Sequence, residues 1–553
     1  MDAYPAIADH GMVGDLQTAA LVSSQGTVDW WCTPRFDSPS VFASLLDSER
    51  GGYCRLAADL AHDPGAVVRQ LYQADTAVLV TRYMGPGGVG EVADFMVPLN
   101  TETATQRHRL VRVVRVVRGS LDFELECRPR FDYGRAPHTF EQTDGTTVVF
   151  RGPGTRLHLQ AAGVSGPLAL RRDGDDATAR FTLTAGNVAA VVLTSDADDA
   201  PAPPPLSAEA ISAELQACRT FWHAWLRSCT YRGRWRDIVH RSAITLKLLT
   251  YAPTGAPIAA LTMGLPEQVG GERNWDYRFT WVRDASLSVK ALIDLGFVEE
   301  AAAFRRWLLD RLAAGGTASG EPLQIMYRID GEPHLTEVVL DHLEGYAGSR
   351  PVRAGNAAAD QIQLDIWGIH LASTFARPAD IDRWREVRDT VFAQIVERGW
   401  NADKQAFVQH YATDVLDASL LLMPRVGFVS PVDPLWLSTL DAMDRELVSD
   451  SLVYRYNPEA SPDGLRGSEG TFNLCSFLYV EALARAGKPQ QARYAFDKML
   501  TYANHVGLFA EEIGPSGEQL GNFPQAFTHL ALIAAALALD EQLDRTEGSG
   551  ADG

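Results

Sequence analysis

The chain has 553 residues, of which 46% are hydrophobic and 22% charged, and its formal net charge is −20. The length predicts two or more domains. The acid excess argues against nucleic acid or an anionic membrane as partner, since both need clustered Lys and Arg; a neutral small molecule such as a sugar suits the charge better. Six scattered cysteines form no C-x-x-C pair, which excludes the usual zinc and redox signatures and fits a reducing cytoplasm. The opening "MDAYPAIADHGMVGD" has neither the basic nor the apolar region of a signal peptide.

Up to about residue 200 the pattern is that of strands. "TAALVSSQGTVDWWC" places Gln25-Gly26 between two β-rich runs, a hairpin signal. "TAVLVTRYM", "RLVRVVRVVRG", "LDFELECRPRF", "RLHLQAAG" and "ARFTLTAGNVAAVVLTS" follow, many alternating apolar with polar residues. An all-β sandwich over 1–200 is the expected fold. "SDADDAPAPPPL" (Ser195 to Leu206) is acidic, then proline-rich, and opens a linker with one helix over 201–233.

The period then becomes helical, predicting a helical domain over 234–543 and a disordered tail over 544–553. Ten helix-like runs begin near Trp235, Asp284, Val298, Asn356, Asp380, Val415, Asp433, Thr471, Pro489 and Pro524. Some are apolar nearly all round and others amphipathic, the pattern of an inner ring of helices inside an outer one. The run Leu530 to Leu539 is about half the ~20 residues of a membrane span and reads as a buried helix.

Five loops lead into the more apolar helices: Gly270 to Asp284, His342 to Asn356, Phe407 to Asp417, Arg455 to Gly470, and Gly507 to His529. They concentrate Trp, Tyr, Arg, Asp and Glu. Aromatic faces stack on the C–H faces of sugar rings, and charged groups satisfy their hydroxyls. The last loop carries two adjacent acids, Glu511 and Glu512. Glycosidic cleavage needs two carboxylates on opposite sides of the bond, and neighbours in sequence diverge, so a second acid must come from another loop.

At these loops the chain resembles glycoside hydrolase family 15, the glucoamylase-like and trehalase-like enzymes. The resemblance rests on "YPAIADHGMVGDLQTAALVSSQGTVDWWCTPRFDSPSVFASLLD", "LPEQVGGERNWDYRFTWVRDASL", "LEGYAGSRPVRAGNAAADQIQLDIWG", "DGLRGSEGTFNLCSF" and "GNFPQAFTHLAL", in that order. It implies a multi-domain β + α fold, a β-sandwich followed by an (α/α) toroid resembling an (α/α)6 barrel. It implies an inverting hydrolase of α-linked glucosides (trehalose, malto- or isomalto-oligosaccharides) that needs no cofactor or metal. Carried over by motif, Glu511 is the general base, and Trp281, Arg283, Asp284 and Arg455 bind the terminal glucose.

The resemblance breaks at one place. The family's general acid sits in a Trp-Glu loop between the helix after "AAADQIQLDIWG" and the one carrying "RWREVRD". Here "DIWGIHLASTFARPADIDRWREVRD" leaves almost no room for it, and no Trp-Glu pair occurs in the chain. The toroid is therefore expected to lack one helix pair, with Glu344, Glu469 and Glu272 as candidates for a substitute acid. Two alternatives follow, a catalytically impaired sugar-binding homologue and an enzyme of altered chemistry using the opened pocket, with a homo-oligomer as one way to seal the gap.

Overall fold

The computed structural model describes the chain except residues 1–3, 61–62, 100–103, 164–167, 312, 314–323, 361–380, 412, 458–468 and 550–553. Fifteen strands between His10 and Ala197 form one hydrogen-bonded network folded into two layers. The hinge is the 21-residue strand His108–Arg128. Its first half pairs with Val188–Ala197 and Gly88–Phe95, and its second half with Asp176–Thr184 and Tyr53–Ala58. Gly119 sits at the change of sheet with φ +72°, and a Cβ there would meet the carbonyl oxygen of Gly87 at 2.0 Å, so only glycine fits. Trp30, Trp31, Phe42, Phe95, Phe123 and Phe150 are among the largest fully buried side chains of this half. The expected β-sandwich is present.

Ser207 accepts from the Ala210 amide and starts helix α1 (Ala208–Leu226), which returns the chain to the sandwich by burying Cys218 and Trp222. Eight further α-helices are found among the described residues: α2 (Arg236–Leu248), α3 (Val282–Asp294), α4 (Val298–Arg311), α5 (Ile381–Arg398), α6 (Pro434–Glu446), α7 (Asn473–Arg485), α8 (Pro489–Leu500) and α9 (Ala526–Ser549). α7 is buried nearly all round, and α9 packs on α2, α3, α7 and α8. α9 has the length and apolar composition of a membrane span, yet Leu530, Leu532, Ile533, Ala535 and Ala536 are fully enclosed by the protein, as expected for Leu530 to Leu539.

Two sequence expectations are corrected here, and a third cannot be followed to its end. The run near Val415 is only a 3-10 turn, Ala418–Leu422, started by Asp417 accepting from the Ser419 amide and stopped before Pro424. The run near Asn356 gives the 3-10 turn Ala357–Asp360, and its continuation lies outside the described residues. The tail expected from 544 is helical to Ser549, because Arg234 bonds Asp540, Asp544 and Glu547 along one side of α9. The deletion point in "DIWGIHLASTFARPAD" also lies outside the described residues.

The two halves share a junction built on Arg278. Its guanidinium bonds both oxygens of Asp276, the Ser38 carbonyl and the Tyr133 hydroxyl, all but the carbonyl with buried partners. Trp30 donates across the same junction to the Leu261 carbonyl at 3.1 Å. The loop entering α3 is thus anchored to the sandwich.

Candidate active site

A miniature three-stranded sheet positions the two acids. Thr471–Phe472, just before α7, pairs with Glu512–Ile513, which pairs with Gln519–Leu520. Asn473 reaches back from α7, its amide to the Glu511 carbonyl (3.0 Å) and its side chain to the Ala510 carbonyl (3.0 Å). The Phe509 amide donates to Nε2 of His529 on α9, whose Nδ1 lies 3.0 Å from the Ser242 hydroxyl on α2. Burial pushes that imidazole down to about 3, so it stays neutral and accepts. Three helices therefore fix the loop that carries Glu511.

Glu511 and Glu512 are both buried, at 3% and 0% exposure. Glu512 accepts from the Gly470 amide at 2.7 Å, while buried Tyr277 lies near Glu511, and burial first and the Glu511 charge second push its phenol up. Oε2 of Glu511 has no hydrogen-bond partner among the described residues. Oε1 of Glu512 is open in the same way.

Two further acids belong to the same cluster. Glu469 is bonded by Arg273 (2.9 Å) and by Arg455. Glu267, in the loop before α3, accepts from the Trp275 indole at 2.9 Å, with Arg273 3.9 Å away. Burial, then the Glu469 charge, push the Glu267 carboxyl up to about 7. Burial first and the Glu267 charge second hold Glu511 well above the usual carboxylate range, and Glu512 likewise. Crowded carboxylates with few cations cannot all ionise, so this cluster retains protons near neutrality.

Of the "WVRD" residues, Trp281 meets the cluster through Tyr277. The Trp281 ring lies edge-on to Tyr277 at 6.4 Å and begins α3. In the first turn of α3, Arg283 Nε donates to Asp284 at 2.9 Å and its guanidinium lies 5.5 Å from the Phe527 ring at the start of α9. Arg353, from the second loop, covers the Trp275 ring at 5.0 Å, and Ala418, beyond the third loop, donates to the Arg455 carbonyl at 2.7 Å. Each loop thus touches the site or supports a residue that does.

Of the residues singled out by sequence, the structure brings together Trp281, Arg455, Glu469 and Glu511, with Arg283 and Asp284 beside them. It places Glu344 elsewhere, bonded to the Tyr4 hydroxyl, with its amide on Asp47 in the sandwich. Glu272 has its carbonyl held by Arg353. Sequence reasoning missed Glu267 and Tyr277, although both stand inside the quoted "LPEQVGGERNWDYRF". Among the described residues no cluster of His, Cys, Asp or Glu is arranged to hold a metal ion.

The profile of Glycosyl hydrolases family 15 matches residues 233–377 and 366–537. The chain belongs to this family. A second profile, Trehalase-like, N-terminal, covers residues 2–210 of this family 15 protein. The trehalase of Mycolicibacterium smegmatis is 35% identical over 99% of this chain and 93% of its own. That of Thermoplasma volcanium is 31% identical over 98% and 95%. A bacterial glucoamylase solved with acarbose superposes with a TM-score of 0.69 at 14% identity, covering 98% of this chain and 95% of its own, which shows the shared fold of β-sandwich and (α/α) barrel. The alignment to the M. smegmatis relative runs over 642 positions against 553 residues here, so that relative carries sequence this chain lacks.

Proposed function

We propose that this family 15 protein hydrolyses α-linked glucosides with inversion, trehalose first among them and malto- and isomalto-oligosaccharides as alternatives. The observation that carries the reading is the enclosed Glu511 carboxyl beside Tyr277, whose ring meets Trp281, with the Arg283–Asp284 pair following in the first turn of α3. Trp281 offers an apolar face to a glucose ring, Arg283, Asp284 and Arg455 bind its hydroxyls, and Glu511 takes a proton from the attacking water. The relatives named trehalase support trehalose. The test is glucose release from trehalose, maltose and isomaltose, with the anomer formed first followed by NMR and Glu511→Gln as control. Wild type as inert as Glu511→Gln on all three substrates overturns the reading.

A second reading, a sugar-binding homologue without turnover, rests on the missing segment. The two family matches meet within 366–377, where the Trp-Glu acid loop is expected. α5, which follows, is exposed along most of its described length, with Val387 51%, Val391 45% and Phe392 44% exposed. Calorimetry showing glucoside binding with no turnover would favour this reading, and measurable turnover would remove it.

A further inference from the structure

We infer that Glu267 is the second carboxyl of the hydrolytic pair, giving the glycosidic oxygen the proton that a Trp-Glu loop would otherwise supply. The inference rests on the hydrolase reading above.

The backbone brings the two acids together. Pro266, the residue before Glu267, accepts from the Gly521 amide at 2.8 Å, and Gly521 lies directly against the Glu511 side chain. Asn522 ties the same two stretches, accepting from the Thr262 hydroxyl at 2.9 Å and donating to the Trp275 carbonyl at 2.9 Å. Glu267 and Glu511 thus stand on two adjacent, cross-linked segments, near enough that a charge on Glu267 is the strongest charge acting on Glu511; the two share a proton, so with Glu267 protonated Glu511 is relieved of that charge and ionises as the base.

The other acids of the cluster fit the role poorly. Glu469 bonds two guanidiniums, which favour its charged form. Glu512 is wholly enclosed and spends one oxygen on the Gly470 amide. Glu344 belongs to the sandwich contact. Glu267 accepts from one indole, and the Arg455 and Arg273 charges act on it without a hydrogen bond, Arg273 from 3.9 Å. Its environment is the buried kind that keeps a carboxyl protonated near neutrality.

In the step, the protonated Glu267 gives its proton to the glycosidic oxygen as the bond from that oxygen to the anomeric carbon breaks. A water oxygen bonds that carbon from the opposite face while Glu511 takes the water's proton. One water is consumed, two sugar hydroxyls form, and solvent returns the proton from Glu511 to Glu267.

The experiment compares wild type and Glu267→Gln on trehalose and on α-glucosyl fluoride, whose leaving group needs no proton. The expected result is at least a 100-fold loss of kcat/KM on trehalose, within the range for general acid catalysis, with fluoride hydrolysis within a few-fold of wild type. Retained fluoride turnover also shows that the variant is folded. Equal loss on both substrates overturns the assignment, as does undiminished trehalose hydrolysis; in both cases the hydrolase reading stands. A wild type that takes the fluoride but not trehalose, maltose or isomaltose has no working proton donor and overturns it too. A wild type inert on all four overturns the hydrolase reading, and this assignment with it.

Discussion

Gly521 is packed against Glu511 so closely that a Cβ on the glycine would stand 2.6 Å from Oε2 of the glutamate. The glycine has φ +75°, so the conformation and the space both demand it. Gly521→Ala must displace the carboxylate or the loop. We expect kcat to fall about 10- to 100-fold, the cost of misplacing a catalytic group by about 1 Å, and stability to fall by about 1–2 kcal/mol. Steady-state kinetics and urea unfolding check this; unchanged kcat would show that Glu511 is not held where it acts.

Asp284 should act on sugar binding more than on the loop. It sits in the first turn of α3, bonded by its neighbour Arg283. Asp284→Asn keeps the shape and removes the charge. The expected loss of glucoside affinity is about 10- to 100-fold, the value of one charge-assisted hydrogen bond, read by calorimetry on a Glu511→Gln background. Unaltered binding would move the glucose subsite elsewhere.

The Glu267 carboxyl also predicts a stability profile. Its folded value of about 7 lies above the ordinary 4.5. Between those values the folded state binds more protons than the unfolded one, so stability falls as pH rises. The contribution is complete below 4.5 and lost on passing 7, about 3 kcal/mol in all. Glu267→Gln cannot ionise, so its stability relative to wild type should rise across that window. Parallel unfolding curves for the two proteins at pH 5 and pH 8 would contradict this.

Arg278 is the test of the junction between the halves. Arg278→Met would leave Asp276 buried without its cation and strip donors from Ser38 and Tyr133. Losing one partner of a buried pair costs about 3–5 kcal/mol. Thermal unfolding should show that loss, with trehalose hydrolysis falling in step because the loop entering α3 carries Glu267 and Trp281. A stable variant would mean that the sandwich does not brace the site.

Much of this was legible in the sequence, and the parts that were not have physical reasons. The strands of the sandwich announce themselves by alternation because each has one buried and one wet side. α7 and α9 announce themselves as unbroken apolar runs because both are enclosed. The 3-10 turn at Ala418–Leu422 misled because "ASLLL" is as apolar as an inner helix, and only Pro424 hinted at its shortness. The burial of Glu511 among other acids could be anticipated from its motif. Glu267 was not legible, because it stands in an irregular loop ahead of α3: its own bond is to nearby Trp275, and what ties it to the site is the Gly521 amide on Pro266 and the charges of Glu469 and Arg455, all far along the chain. Glu344 looked equivalent to Glu469 on paper, and only the fold separates an acid facing the sandwich from one facing the site.

Asn504, a few residues before Glu511, donates to the carbonyls of both Ala8 and His10. The first strand made by the ribosome is therefore completed by a residue made almost five hundred positions later. During synthesis those two carbonyls wait in water until the segment around Asn504 emerges and claims them. The order of birth and the order of assembly run opposite to each other, and the loop bearing Glu511 is where they meet.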